Sequence, residues 1–391
     1  MKTIYLDNSA TTPVRREVLK EALPYFSEVY GNPSSFHSTG LVAKKAIINA
    51  RENITKILNC SDKELIFTGS GTESINLAIK GIALSSLIKN KGKAKGHFIT
   101  QKTEHDAVLE SFEWIEKLGF SVSYLNVDAM GLIDLEELKK TIRSDTLLVS
   151  IMYANNEVGT IQPLKKISKI CHDKKVLLHT DACQGAEYLD IDVKKLGVDL
   201  MTINGSKIYA FKGTGLLYKK QGITLEPLIH GGGHENKLRA GTENTPGIIA
   251  MSKALELAQK EKIKESERLL KLRTHMIKRI QSEIVKTKLN GHPTKRLPNN
   301  VNFSFHGIEG ESLLLMLNEK GIRVSTGSAC SSQSLDPSHV LMAMGMRHGL
   351  SHSSTRFSIG KYTTKKEIDF TVNQLKKVVK RLREISPVWE E

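Results

Sequence analysis

Residues 198–215 read VDLMTINGSKIYAFKGTG. The segment from Val198 to Ile203 is rich in apolar and β-branched residues, which predicts a buried strand. The turn residues Asn204-Gly-Ser206 end this strand, and Lys207 follows them. In open parallel sheets, ligands bind just beyond the carboxyl ends of the strands. A lysine there can form a Schiff base with a carbonyl compound, although an ordinary solvated loop lysine is the alternative.

The chain before this segment repeats one pattern. From residue 64 onwards, apolar runs of strand length alternate with segments of helical periodicity. This alternation predicts an α/β fold, with a mostly parallel sheet flanked by helices and right-handed crossovers. The other predicted strands are Glu64–Thr68, His97–Thr100, Ser121–Val127, Thr146–Tyr153 and Val176–Thr180.

The chain after this segment has a different composition. A helical pattern from about residue 245 to 286 is longer than an ordinary globular helix, so we expect a break in it or a role in spanning two domains. A half-buried strand at Asn300–Phe305 and two further helices then predict a smaller α+β domain. We expect a large domain over residues 15–260, and a small domain over 261–391 that includes about the first 14 residues.

Composition excludes several classes of protein. The 391 residues carry a formal charge of +15, but the lysines are dispersed and do not alternate with aromatic residues, so we expect no direct nucleic-acid partner. No apolar run reaches the length of a transmembrane helix, and the N-terminus lacks the features of a signal peptide, so we expect no membrane association. The four cysteines form no CxxC pair, which indicates neither a zinc site nor a disulfide framework and favours the reducing cytoplasm.

Polar residues follow several of the predicted strands. They are Gly69-Ser-Gly-Thr72, His105, Asn156, Asp181 with Gln184, and Lys207. Each alone could be a helix cap or an ion pair, but the ends of parallel strands share one edge of the sheet. The glycine-rich turn before a helix suits an anion and matches neither nucleotide-binding fingerprint. A phosphate site, a flat ring, a carboxylate and a lysine together suit pyridoxal phosphate.

These residues belong to motifs that resemble those of the cysteine desulfurases, in the class V aminotransferase branch of the fold type I pyridoxal-phosphate enzymes. The resemblance covers nearly the whole chain and keeps the family's order. The motifs are Tyr5-Leu-Asp-Asn-Ser-Ala-Thr-Thr-Pro13, Gly31-Asn-Pro33, Thr103-Glu-His105, Asn155-Asn-Glu157, Asp181-Ala-Cys-Gln184, Gly231-Gly-Gly-His-Glu235, Arg239-Ala-Gly-Thr-Glu-Asn244, Ser325-Thr-Gly-Ser-Ala-Cys330 and His352-Ser-Ser-Thr-Arg356.

The resemblance implies a role for each site residue. Lys207 would hold the cofactor, His105 would stack on its ring and shuttle a proton, and Asp181 would pair with the ring nitrogen. Arg356 would bind the substrate carboxylate, with Asn32 beside the substrate. The remaining cofactor contacts would come from Gly71, Thr72, Asn156, Gln184, Asn204, Ser206 and, across a homodimer, Thr242.

The resemblance also implies the reaction. Sulfur would pass from L-cysteine to Cys330, leaving alanine and a persulfide. An acceptor protein in iron–sulfur cluster assembly or tRNA thiolation would then take the sulfur. A selenocysteine lyase, an aminotransferase or a β-lyase on the same fold is an alternative, and so is a sulfur-carrier platform with an impaired cofactor site. Many relatives continue past the position of Glu391 with a tail that contacts a scaffold protein, so we do not assume that partner here.

The chain departs from the family pattern around the lysine. The family usually has Ser-x-His-Lys-x-x-Gly-Pro-Lys-Gly. In place of its serine, histidine, glycine and proline, this chain has Asn204, Ser206, Ala210 and Phe211. If the family glycine serves a positive φ, Ala210 would be strained. We therefore expect either weaker cofactor binding or a locally rebuilt turn.

Overall fold

The computed structural model describes residues 3–327, 337–387 and 389. Cys330 lies outside these residues. In the described part of the chain the strands are β1 Ile4–Tyr5, β2 Leu65–Thr68, β3 His97–Gln101, β4 Ser121–Leu125, β5 Thr146–Ser150, β6 Leu177–Asp181, β7 Leu200–Asn204, β8 Gly215–Lys219, β9 Thr287–Leu289, β10 Asn300–Phe305, β11 Ile322–Arg323 and β12 Ser354–Ser358. The helices are α1 Arg16–Ala22, α2 Pro24–Ser27, α3 Ser38–Leu58, α4 Gly71–Lys89, α5 Asp106–Lys117, α6 Leu135–Thr141, α7 Leu164–Asp173, α8 Val193–Leu196, α9 Thr245–Glu283, α10 Gly310–Glu319, α11 His339–Ala343, α12 His348–His352 and α13 Lys365–Glu384.

The predicted α/β sheet is confirmed. A seven-stranded sheet has the order β2-β8-β7-β6-β5-β3-β4. Its β3, β4, β5, β6 and β7 pairings are parallel, whereas β8 runs antiparallel to both β2 and β7. The sequence analysis missed β8, the short apolar segment Gly215–Lys219 directly after the lysine turn. Because β8 returns along β7, it holds the lysine turn at the strand ends.

Both faces of this sheet are covered, as a parallel sheet requires. Neighbouring residues along a strand face opposite sides, so Ile99 and Val149 join one buried cluster with α3 and α7. Phe98 and Leu148 join another with α4 and α5. The apolar runs in the sequence are therefore strands that are buried on both faces.

The long helical tract is a single helix, α9, of 39 residues without the break that we considered. Its first half contributes Ile248 and Leu255 to the cluster under the sheet. Its second half contributes Leu269 and Met276 to a separate cluster built from β10, β12, α10 and α13, which Ile4 also joins. This arrangement suits the predicted division near residue 260, which stays a prediction.

Two further findings concern the described residues only. None of their helices is both long and apolar enough to cross a membrane. None of their His, Cys, Asp and Glu side chains form a group of three or more that could hold a metal ion.

Candidate active site

Most of the predicted site residues converge on one cavity of about 150 Å³. Most come from the turns and helix starts that follow strands of the seven-stranded sheet, as its parallel topology requires, whereas Arg356 lies within β12 of the three-stranded sheet. The cavity is lined by the predicted residues Gly71, Thr72, His105, Asn156, Asp181, Gln184, Asn204, Lys207 and Arg356, and also by Ser9, Ala10, Ile75, Met152, Ala154 and Cys183.

Three predicted residues do not line this cavity. Ser206 is buried beside it, and its backbone oxygen accepts hydrogen bonds from the backbone and side chain of Thr12 at 2.9 and 3.0 Å. Asn32 accepts a hydrogen bond from the backbone of Ser34 at 2.9 Å. Thr242 is exposed. Their predicted roles stay predictions.

Lys207 lies in a 3₁₀ turn, Gly205–Lys207, directly after β7. Its Nζ donates a hydrogen bond to the backbone oxygen of Ala10, so the N-terminal segment packs over the lysine. Gln184 contacts the same segment, since its Nε2 donates to the backbone oxygen of Ser9 at 3.0 Å. The motif that begins at Tyr5 thus forms one wall of the cavity.

The turn after the lysine shows no strain at Ala210. The residues with positive φ there are Tyr209, at 64°, and Gly213, at 78°. Tyr209 is almost fully buried, and its backbone N–H donates to the side-chain oxygen of Thr12 at 2.9 Å. Phe211 packs against Phe26 with ring centroids 5.9 Å apart. The turn is therefore compatible with alanine, because the left-handed conformation falls on its neighbour.

Asp181 ends β6 and keeps its carboxylate at the cavity, 7% exposed. Its Oδ1 accepts the backbone N–H of Cys183 at 2.9 Å. Burial lowers the pKa of the nearby His179 to about 4, and the two ring nitrogens of His179 bond to Ser150 and Thr202. His179, neutral near pH 7, therefore offers no positive charge to Asp181, whose carboxylate lines the cavity.

His105 is the N-cap of α5, and its Nδ1 accepts the backbone N–H of Ala107 at 3.0 Å. In the neutral ring the proton consequently lies on Nε2. Its neighbour Glu104, which the sequence analysis did not single out, is fully buried beside the site. Burial raises the pKa of Glu104 to about 8, although its Oε1 accepts hydrogen bonds from Met152 and Gln101 at 2.6 and 2.8 Å.

Arg356 is the largest fully buried side chain among the described residues. Its Nη1 donates to the backbone oxygen of Asn156 at 3.1 Å, and its Nη2 pairs with Asp7 at 2.9 Å. Its Nε, although buried, has no hydrogen-bond partner among the described residues. A guanidinium fixed in this way at the cavity, with one donor unpaired among the described residues, suits a small carboxylate. Asp7 was missed as a partner, although it lies in a quoted motif.

Two features of the cavity fit pyridoxal phosphate. Gly71 and Thr72 begin α4, where the first N–H groups of a helix lack intrahelical partners and attract anions. A Cβ on Gly71 would lie only 2.9 Å from the sulfur of Cys183, so the absence of a side chain lets the backbone of Gly71 pack closely against Cys183. The second feature is Asn156, which lines the cavity and whose buried Oδ1 has no hydrogen-bond partner in the described chain, so it would accept a hydrogen bond from a ligand hydroxyl.

Comparison with known proteins assigns the chain to a class. Residues 4–370 match the family model described as aminotransferase class V, and the chain belongs to this family of pyridoxal-phosphate-dependent enzymes.

Within the family, the relatives are cysteine desulfurases. The chain is 50% identical over 390 residues to a cysteine desulfurase IscS of Dictyoglomus turgidum, a match that covers 100% of this chain and 98% of that protein. It is 50% identical over 388 residues to one of Methanosarcina thermophila, covering 99% and 94%. A solved structure described as a NifS-like protein has a TM-score of 0.90 and 37% identity, and covers 97% of this chain and 100% of that chain. Another, SspA in complex with cysteine, has a TM-score of 0.80 and 35% identity, covering 93% and 100%.

Proposed function

We propose that this protein removes sulfur from L-cysteine, with Lys207 holding the cofactor and Cys330 receiving the sulfur. The observation that carries the proposal is the convergence of Lys207, Asp181 and Arg356 on one cavity. Bound pyridoxal phosphate supplies a ring that withdraws electrons from the substrate's α-carbon. Asp181 favours the protonated ring nitrogen, which maintains this withdrawal.

The protein's own groups then divide the remaining work. Arg356 binds the carboxylate of L-cysteine, because its fork is fixed by Asn156 and Asp7 and its Nε faces no described partner. Lys207 Nζ takes the α-proton, and His105 Nε2 moves a proton near the cofactor. Asn156 and Gln184 contact the cofactor on its oxygen side, and Asn32 borders the substrate.

Cys330 acts as the nucleophile toward sulfur. Its thiolate attacks the sulfur of the substrate, an S–S bond forms and the C–S bond breaks. The electron pair stays with the carbon fragment, which takes up a proton and leaves as alanine. The other cysteines are poor candidates, because burial raises the pKa of Cys60 and Cys171 to about 12 and that of Cys183 well above its usual value. Each therefore remains a protonated thiol near neutral pH.

A homodimer fits an exposed apolar surface on the α2–α3 side of the molecule, which we call the α2–α3 surface. It contains Phe36, which is 95% exposed, and Tyr30, which is 73% exposed. Monomeric proteins rarely expose a group of large apolar side chains of this kind, whereas interfaces between subunits are enriched in them. The other large exposed side chains of this surface are Leu23, Phe26, Leu41 and Val42. Thr242, which is exposed and does not line the cavity of its own subunit, would reach the cofactor of the second copy.

The names of the relatives support a proposal for the destination of the sulfur. Those named IscS suggest that the persulfide serves iron–sulfur cluster assembly, and tRNA thiolation is the other acceptor pathway that we propose. Cys60, Cys171 and Cys183 are free thiols, which suits the reducing cytoplasm.

The test is turnover of L-cysteine, with alanine and protein persulfide measured together. Wild type should produce both, Lys207→Ala should produce neither, and Cys330→Ala should lose the persulfide and the alanine. Cys60→Ala is the matched control and should keep both. Alanine formation that survives in Cys330→Ala would mean a reaction that needs no protein thiol, such as a lyase. Persulfide formation that survives in Lys207→Ala would mean a sulfur carrier that does not use this lysine.

A further inference from the structure

Asn204 and Ser206 form a hydrogen-bonded pair beside the lysine. The backbone N–H of Ser206 donates to Oδ1 of Asn204 at 3.1 Å. The hydroxyl of Ser206 donates to the same oxygen, also at 3.1 Å. Both residues depart from the types that the resembling family usually has at these positions.

The pair fixes the orientation of the Asn204 amide. A backbone N–H can only donate, so the atom that it contacts must be the oxygen of the amide and not its nitrogen. The amide nitrogen, Nδ2, therefore points away from Ser206. The serine hydroxyl, in turn, directs its proton to Asn204.

The Asn204 amide nitrogen lies beside the first residue of α4. A Cβ built on Gly71 would be 3.3 Å from Nδ2 and 3.2 Å from Cβ of Asn204. Asn204, Gly71 and Thr72 line the cavity together, whereas Ser206 does not. Three kinds of donor thus meet at one end of the cavity: backbone N–H groups, a threonine hydroxyl and a side-chain amide.

We propose that Asn204 donates a hydrogen bond through Nδ2 to the phosphate of the cofactor, and that Ser206 is a positioning residue that acts through Asn204. This inference rests on the proposed function, because it assumes that the phosphate end of pyridoxal phosphate occupies the start of α4. It differs from the expectation, implied by the resemblance, that Ser206 contacts the cofactor itself.

The test compares pyridoxal phosphate with pyridoxal, which lacks the phosphate, by titrating each into cofactor-free protein and following the absorption of the bound ligand. Asn204→Ala should weaken binding of pyridoxal phosphate by about 10- to 100-fold, the range expected for a hydrogen bond to a charged group. It should change pyridoxal binding by less than about threefold. Asn204→Asp retains the acceptor for Ser206 but replaces Nδ2 with a charged oxygen, so it should weaken pyridoxal phosphate further.

A double-mutant cycle separates the two roles. Ser206→Ala should weaken pyridoxal phosphate binding by a smaller factor than Asn204→Ala. Adding Ser206→Ala to Asn204→Ala should change binding by no more than about twofold, because the group that Ser206 orients is then gone. Asn49→Ala, at an exposed asparagine on α3, is the control and should bind both ligands as wild type does.

Two outcomes would overturn the inference. Additive losses in the double variant would mean that Ser206 contacts the phosphate directly, and equal losses for both ligands in Asn204→Ala would mean that Asn204 supports the site generally. If wild type binds neither ligand, the proposed function fails instead, so the two failures are distinguishable.

Discussion

Gly71→Ala should destabilise the protein, although alanine is normally the better helix residue. The added Cβ would lie 2.9 Å from the sulfur of Cys183 and 3.2 Å from Cβ of Asn204, and both of these residues belong to the packed wall of the cavity. Overpacking of this kind costs about 1–3 kcal/mol, whereas replacing glycine in a helix gains up to about 1 kcal/mol. We expect a net loss of about 1–2 kcal/mol in the free energy of unfolding.

The assay is urea denaturation of cofactor-free protein, so that ligand binding does not contribute to the measured stability. Gly349→Ala is the matched control, because Gly349 lies in α12 and a Cβ there would meet no atom within 4 Å. It should leave stability unchanged or raise it slightly. Cys183→Ala in the Gly71→Ala background should recover about half of the loss or more, because it removes the nearest atom. If Gly71→Ala proves as stable as Gly349→Ala, the close packing that we describe is wrong.

Three further changes test other parts of the account. Glu104→Gln should flatten the pH dependence of stability. Because burial raises the pKa of Glu104 to about 8, the folded protein keeps a proton that the unfolded chain releases near its ordinary pKa of 4.5. As the pH rises from about 5 to about 8, wild type should therefore lose a few kcal/mol of unfolding free energy relative to the variant, at about 1.4 kcal/mol per pKa unit. If the urea midpoints of wild type and variant change equally between the two pH values, this prediction is wrong. Arg356→Lys should raise KM for L-cysteine about 10-fold or more, because lysine lacks the planar guanidinium that pairs with a carboxylate. The control Arg347→Lys, at an exposed residue, should leave KM unchanged. An unchanged KM in Arg356→Lys would mean that the substrate carboxylate binds elsewhere. Phe36→Glu should shift the molecular mass measured by light scattering from dimer toward monomer, and Val285→Glu, at a 68% exposed residue elsewhere, should not; a dimer that persists in Phe36→Glu would mean another interface.

The location of the site was predictable because its signals are local in sequence. An apolar run followed by turn residues identifies the end of a strand, and parallel topology brings such ends together. Lys207, Asp181 and His105 follow this rule, and each lies at the cavity. Glycine and threonine before a helical pattern likewise marked the start of α4.

The contacts that fix the geometry were not predictable, because they join distant parts of the chain. Asp7 and Arg356 are separated by 349 positions, and they meet because the N-terminal segment pairs with β12. The turn at Ala210 depends on which neighbour adopts a positive φ, and the sequence did not indicate that it would be a tyrosine. The buried state of Glu104 depends on packing around it from several elements.

The most direct test of the central claim is the stoichiometry of a single turnover. Cofactor-loaded protein is mixed with one equivalent of L-cysteine per subunit and no reductant, so that no excess thiol removes the persulfide. Alanine is then measured, and the peptide that contains Cys330 is examined by mass spectrometry. We predict one alanine for each subunit, together with the mass of one additional sulfur atom on Cys330. Alanine released without added sulfur on that peptide, or sulfur found on Cys60, Cys171 or Cys183 instead, would contradict it.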